Sequence, residues 1–379
     1  MYGGLSESGN TGPMSRITAI YHVQETADQI DGRAHTIAVE QSVEMPVSAI
    51  TDDRVLSDIV GDVSSIEDLG EGVFEVKIGL ATDTTGLEPG QLMNMLFGNT
   101  SIHADVTLAD VIFPNEVIEA FGGPNQGIGG WRSRCGADAR GMTCSALKPQ
   151  GLPAKALGRV AHQMALGGLD FIKDDHGLAN QTYSPFADRV DACGDAVATA
   201  NAQTGGKTSY VPSLSGHLDQ LREQVALGQE RGLDTFLIAP MITGLAAFRQ
   251  LSRENPDVAF MAHPALAGAS HILPPLLLGK IFRMMGADAT IFPNHGGRFG
   301  YSPESCKALA DTALDNSVSM KSCVPIPAGG MTVDRVPEML DFYGQDVMLL
   351  IGGGLLSAGE KLTEQTTLFT DKVKNHTYA

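Results

Sequence analysis

Positive charge is what this chain has least of. Its 26 lysines and arginines face 44 aspartates and glutamates, a formal net charge of −18. That balance argues against a nucleic-acid or anionic-membrane partner, since both need clustered basic surface. Cysteine is sparse too: Cys135, Cys144, Cys193, Cys306 and Cys323 are an odd number, far apart, with no CxxC pair. Neither a disulfide framework nor a zinc site is suggested, and a reducing cytoplasm is the expected compartment. No uninterrupted apolar run approaches the ~20 residues that span a bilayer. The first residues, Met1 to Pro13, are rich in glycine and serine and lack the apolar core of a signal peptide, so residues 1–14 are expected to be flexible.

What is present is room for two globular domains: 379 residues with 43% hydrophobic content. Residues 15–130 read as an α+β domain. The stretch 17–23 has strand character and 34–41 helical character, and 73–78 alternates Phe74, Val76 and Ile78 with Glu75 and Lys77. The apolar run 92–97 closes on the turn-forming Gly98-Asn99-Thr100-Ser101, and Pro124 to Gly130 reads as the linker or the mouth of the next domain. Beyond about residue 142 the texture changes to strand-then-helix units. Candidate strands are 143–147, 169–172, 210–214, 235–238, 259–262, 289–292, 323–326 and 348–351. Helical patterns at 153–166, 216–231, 246–253, 303–314 and 333–343 fill the gaps. Eight such units predict a (β/α)8 barrel over 131–379 rather than an open sheet.

The unusual residues fall just after these strands. Gly167-Gly168-Leu169-Asp170-Phe171-Ile172 runs directly into Lys173-Asp174-Asp175-His176. Apolar strands seldom end in four ionisable groups, because buried charge is costly unless paired or bound to metal. Lys148, His263, Asn294 and His295 follow other strands, and Gly329-Gly330 and Gly352-Gly353-Gly354 follow the seventh and eighth. Barrel enzymes often hold phosphate on the backbone of those two loops.

Together these residues resemble the RuBisCO large-subunit family. The likeness rests on Leu147-Lys148-Pro149-Gln150-Gly151-Leu152 and on the segment from Gly167 to Asp175, with weaker echoes at Ala38-Val39-Glu40, Phe97-Gly98-Asn99 and the glycine loops. It implies an α/β fold: a TIM barrel preceded by a smaller α+β, ferredoxin-like domain. It implies Lys148 as the base that removes a proton beside a substrate carbonyl. Lys173 would take up CO2 as a carbamate, joining Asp175 and His176 around a divalent cation. His263 would contact substrate, Gly329, Gly330, Gly352 and Gly353 would hold phosphate, and Arg298 and His295 would meet other parts of the substrate. Glu40 and Asn99 would complete the site of a partner subunit, making the chain a homodimer.

Departures from the family pattern redirect the expected activity. His176 replaces a carboxylate, which weakens the case for magnesium, still the expected ion, and leaves manganese or another imidazole-tolerant metal, or a metal-free site with Lys173 as a plain amine paired to Asp175, as alternatives. Tyr301 stands where carboxylases carry the loop lysine that steadies the new carboxylate. Pro264 replaces an arginine that grips a second phosphate, and Met45 replaces a polar phosphate contact. CO2 fixation is therefore not expected. The resemblance narrows to the non-carboxylating, form IV-type RuBisCO-like branch. The expected reaction enolises a small ketose monophosphate such as 5-methylthioribulose 1-phosphate, as an isomerase or tautomerase. Two alternatives stay open: a decarboxylase, transcarboxylase or hydrolase of a 3-oxo acid sugar phosphate, and a non-catalytic sugar-phosphate-binding protein.

Overall fold

The computed structural model describes residues 15–378. The expected flexible N-terminus, 1–14, lies outside the described residues. The chain divides into two compact units after Val117.

In the first unit β1 (Arg16–Gln24), β2 (Asp62–Gly70), β3 (Val73–Ala81) and β4 (Val106–Ile112) form an antiparallel sheet in the order β2-β3-β1-β4. The helix Ile30–Glu40 lies between β1 and β2, and the helix Pro89–Phe97 between β3 and β4. This βαββαβ order is the ferredoxin-like arrangement. Along β3 the side chains of Phe74, Val76 and Ile78 are buried, as the alternation requires. The apolar run ending at Phe97 is a helix rather than a strand. Pro89 opens it, and the Glu88 carboxylate accepts N–H bonds from Gly90 and Gln91 at 3.0 and 2.7 Å. Strand β2 gave no hydrophobic signal because nearly all of its side chains are exposed.

The second unit carries eight parallel strands: β5 (Met142–Leu147), β6 (Phe171–Asp174), β7 (Ser209–Val211), β8 (Thr235–Ile238), β9 (Ala259–Ala262), β10 (Ala289–Pro293), β11 (Val324–Ala328) and β12 (Met348–Leu350). They pair as β12-β5-β6-β7 and β8-β9-β10-β11. Leu237 N–H donates to the Pro212 carbonyl at 2.9 Å and Leu214 N–H to the Leu237 carbonyl at 2.8 Å, which joins β7 to β8. β11 lies beside β12, and helices separate the strands in sequence. The fold is the α/β barrel that the strand-helix rhythm predicted. Its core is built of inward residues such as Cys144, Phe171, Leu237, Met261, Ile291, Ile326 and Met348.

The expected linker is a correction. Gly127 begins a helix, Gly127–Cys135, that belongs to the barrel unit, so the boundary expected at 130 falls inside that unit. Glycine is a poor helix former, but the Asp288 carboxylate accepts N–H bonds from Gln126 and Gly127 at 2.6 and 2.7 Å. Trp131 then drives the helix onto the barrel: it is fully buried, edge-on to Phe171 at 4.8 Å.

Asp170 and Asp174 flank the strand that delivers the charged cluster. Arg140 grips Asp170 with two bonds of 2.8 and 2.7 Å, and Thr143 N–H adds a third at 2.8 Å. Asp174 and Arg189 are both fully buried and 2.8 Å apart; the carboxylate also accepts from Tyr210 Oη at 2.8 Å and Ser213 N–H at 3.0 Å. A satisfied buried pair adds little over an apolar pair of the same size, but losing one partner strands a charge. Arg189→Met is therefore expected to cost about 3–5 kcal/mol of stability in urea unfolding. Adding Asp174→Asn to that variant should recover part of the loss; no recovery would show that packing, not stranded charge, sets the cost.

Candidate functional site

At a strand end, successive side chains face opposite ways. That alternation sends Asp174 outward to Arg189 and turns Lys173 and Asp175 into a cavity of about 760 Å³. Lys148, His176, His263, Arg298, Tyr301, Gly329, Gly330, Gly352 and Gly353 line the same cavity. Sequence reasoning had collected these residues from six strand ends; the structure gathers them in one place. Asn294 is one exception, buried and accepting from Tyr343 Oη at 2.7 Å; His295 is the other. Its ring packs on Phe342 at 4.6 Å, it does not line the cavity, and its Nε2 is buried with no partner among the described residues. The aromatic pair Phe342–Tyr343 outcompetes the cavity for it, a tertiary contact with no local sequence signal.

Asp175 is the hub. Its Oδ1 accepts from Lys148 Nζ at 2.8 Å and lies 3.2 Å from His176 Nδ1; Gln150 Nε2 reaches Oδ2 at 3.4 Å. Burial alone would raise the Asp175 pKa, but bonds from His176 and Lys148 and the charges of Lys148 and Lys173 outweigh it, so the carboxyl lies well below its usual range. Gln150 was quoted with the motif but given no role; its contact follows from the turn after Lys148.

Lys173 is 3% exposed, and burial lowers its amine pKa. Its Nζ donates to the Asp174 carbonyl at 2.8 Å. His263 stacks on His176 with centroids 4.1 Å apart and planes 12° from parallel. Burial, then the nearby charges of Lys173 and His176, push His263 down to about 2. Its Nδ1 accepts the Ala265 N–H at 3.1 Å, so the neutral ring carries its proton on Nε2.

The two glycine loops touch. A Cβ on Gly354 would come 3.0 Å from the Met331 carbonyl, and one on Gly297 only 2.0 Å from the Gly329 carbonyl. Gly329 and Gly330 have φ of +81° and +88°, which side chains rarely tolerate. No bond inside the protein takes up the N–H of Gly329, Gly330, Gly352 or Gly353 among the described residues.

Whether the donors suit a metal depends on Lys173. As a free amine it leaves Asp175 and His176 alone, and no cluster of three or more His, Cys, Asp or Glu that could hold an ion occurs among the described residues. A buried amine with a lowered pKa is the form that reacts with CO2, and a carbamate there would add an anionic oxygen. The set therefore fits a divalent cation with Lys173 carbamylated.

In the first unit, Asn99 Nδ2 donates to Glu40 Oε1 at 2.9 Å and to Glu44 Oε1 at 3.0 Å. Gln41 is 2% exposed and ties this corner together: it donates to the Met95 carbonyl at 2.8 Å and accepts from Thr100 Oγ1 at 2.7 Å. Glu44 and Gln41 were not singled out from sequence, since both act through a loop 55 or more residues away.

Fold and site define a barrel with two lysines, a carboxylate and two glycine loops at the C-terminal ends of its strands. Residues 127–361 match the family described as ribulose bisphosphate carboxylase large chain, catalytic domain. The chain is 57% identical over 359 residues to a protein of Rhodospirillum rubrum named 5-methylthioribulose-1-phosphate isomerase, covering 94% of this chain and 96% of that one. It is 52% identical over 361 residues to ribulose bisphosphate carboxylase-like protein 1 of Rhodopseudomonas palustris, covering 95% and 98%. The crystal structure of a RuBisCO-like protein from Rhodopseudomonas palustris superposes with a TM-score of 0.91 at 50% identity, covering 97% and 100%. The chain belongs to the RuBisCO large-chain family, and among its enzymes to the RuBisCO-like proteins.

The site's charges give a pH signature. An unfolded histidine protonates near pH ~6.5 whereas folded His263 stays neutral, so below that pH the unfolded state binds the extra proton and stability falls. Asp175 acts in the same direction below about pH 4, where the unfolded carboxylate protonates first. Urea midpoints of protein kept in chelator are expected to drop steadily from about pH 6.5 to about pH 4.5. His263→Gln should flatten that slope; an unchanged slope would assign it to other groups.

Proposed function

We propose that the chain enolises a small ketose monophosphate by removing a proton α to its carbonyl, with isomerisation or tautomerisation as the outcome. The observation that carries this reading is the convergence of Lys148, Lys173, Asp175 and His263 with two glycine loops in one cavity. The name of the Rhodospirillum rubrum relative makes 5-methylthioribulose 1-phosphate the first compound to try.

In this reading the free N–H groups of Gly329, Gly330, Gly352 and Gly353 bind the phosphate. Lys148 Nζ, entering the step as the neutral amine, takes the proton from carbon and becomes the ammonium, and the C–H electron pair moves to make the enediolate. His263 offers its Nε2–H to a substrate oxygen. Return of the proton to the neighbouring carbon completes the isomerisation. A divalent cation held by carbamylated Lys173, Asp175 and His176 would polarise the carbonyl and steady the enediolate; the imidazole favours manganese more than it does magnesium. Asp175 keeps Lys148 in place through their 2.8 Å bond. The five cysteines are all free and buried, which suits a reducing cytoplasm.

Arg298, which lines the cavity and stacks on Phe299 at 5.0 Å, favours a second reading, in which CO2 is lost from a 3-oxo acid sugar phosphate. Deuterium entering a neutral ketose phosphate from heavy water, followed by NMR, supports the first reading. CO2 release from the acid without such exchange supports the second. Lys148→Met is expected to slow the exchange about 10²–10⁴-fold. Exchange from neither compound, with or without bicarbonate and manganese or magnesium, would leave a binding protein.

Glu40 and Asn99 are assigned to the site of a second copy, so the active form is a homodimer. Lys148→Met and Asn99→Ala proteins should each be inactive alone. After subunits are exchanged between them, activity should return toward about a quarter of the wild-type level, one intact site in every mixed dimer, as random reassortment gives. No recovery in proven mixed dimers would contradict the shared site.

A further inference from the structure

Among the described residues, the buried and half-buried tyrosines use their hydroxyls inside the protein, with one exception. Tyr21 Oη donates to the Leu96 carbonyl at 2.6 Å, Tyr210 Oη to Asp174 at 2.8 Å and Tyr343 Oη to Asn294 at 2.7 Å. Tyr378 Oη accepts the Gly141 N–H at 2.7 Å. Tyr301 is half-buried, lines the cavity and makes no hydrogen bond within the protein. A phenol taken from water normally finds a partner, so an unused one at a cavity wall is free for whatever the cavity holds.

The residue is held from the helix that follows it. Ser302 caps the helix Pro303–Leu314, its Oγ accepting the Ser305 N–H at 3.1 Å. Tyr301 stands just before that cap, and the fully buried Cys306 is the fourth helical residue. Those are the two places from which apolar groups staple a helix entry. Tyr301 is thereby tied to a helix end, whereas Arg298, Phe299 and Gly300 before it are exposed. Burial, and then Cys306 nearby, raises the phenol's pKa above its ordinary value. The hydroxyl therefore stays protonated through the neutral range: it can donate a hydrogen bond, but it cannot act as a base.

Taking a proton from carbon beside a carbonyl leaves negative charge on two adjacent oxygens. In the proposed reaction His263 Nε2–H meets a substrate oxygen, Lys148 takes the carbon proton, and Lys173 and His176 belong to the cation. Arg298 is exposed and lies against Phe299. We propose that Tyr301 is a further catalytic residue, its phenolic O–H donating to an oxygen of the enediolate while the proton stays on the phenol. Such a bond strengthens as charge develops, so it acts on the transition state more than on bound substrate. The inference rests on the proposed enolisation and adds a group that steadies its charge.

Tyr301→Phe removes the hydroxyl and keeps the ring. Since that hydroxyl has no partner in the protein, the urea midpoint should not change. Deuterium exchange into 5-methylthioribulose 1-phosphate should slow about 10²–10³-fold, in kcat with little change in KM, as loss of one oxyanion donor does. Calorimetry supplies a readout that needs no turnover, with the same metal and bicarbonate present throughout. Phosphoglycolohydroxamate, an analogue of an enediolate phosphate, should bind the variant about tenfold or more weakly than the wild type. Glycerol 3-phosphate, which has no such oxygen pair, should bind both proteins alike. Exchange at the wild-type rate in the variant, equal hydroxamate affinities, no hydroxamate binding to the wild type, or a lowered midpoint would overturn the assignment. A selective loss of hydroxamate affinity, with no exchange even in the wild type, would leave the Tyr301 contact standing while the enolisation reading fell.

Discussion

The buried pair of Asp174 and Arg189 determines what the end of β6 can present. A strand alternates its faces, so fixing one residue fixes its neighbours. Asp174 is held by Arg189, Tyr210 and Ser213 at 2.8, 2.8 and 3.0 Å, with no exposure to solvent. Its side chain cannot turn inward without stranding Arg189, which also donates to the Ser184 and Ala179 carbonyls. Lys173 and Asp175 are thereby committed to the cavity. A pair of little net worth to stability thus carries register, the role for which buried charge is best attested.

Much of this was legible in the sequence, for physical reasons. Parallel strands are buried on both faces and read as short apolar runs, and the predicted 235–238 and 259–262 coincide with β8 and β9. The charge after Phe171-Ile172 was legible because it violates that pattern. Three things were not. Strand β2 has no buried face to write a signal. The helix at Gly127 depends on a cap from Asp288, more than 160 residues away. His295 was placed by its strand end, but its ring follows Phe342 and Tyr343 instead.

The cavity has two characters, and they bear on which chemistry it supports. Toward β5, β6 and β12 it offers amines, a carboxylate and glycine backbone; toward β9 and β10 it offers Leu266, Pro293 and Phe299. A site for a bisphosphate would need cations at both ends. Pro264 offers neither charge nor N–H at the β9 end, and the Ala265 and Ala267 N–H groups beside it are bonded within the turn. Membership of a family whose name refers to carboxylation therefore says less about the reaction than this asymmetry does.

Charge inside the cavity leads to the same conclusion about Lys173. Asp175 is the only carboxylate lining it among the described residues, and Lys148 and His176 already occupy its Oδ1. A divalent cation would have to compete with Lys148 Nζ for a single anion. With a histidine at 176, no second carboxylate from the strand end helps. The remaining route to negative charge is chemical: CO2 bound as a carbamate replaces a buried amine with an anion next to Asp175. Burial, by lowering the amine's pKa, favours the form that can react. In the proposed reading, His176 in place of a carboxylate would make cation binding depend on carbamylation of Lys173 more steeply than a three-carboxylate site would.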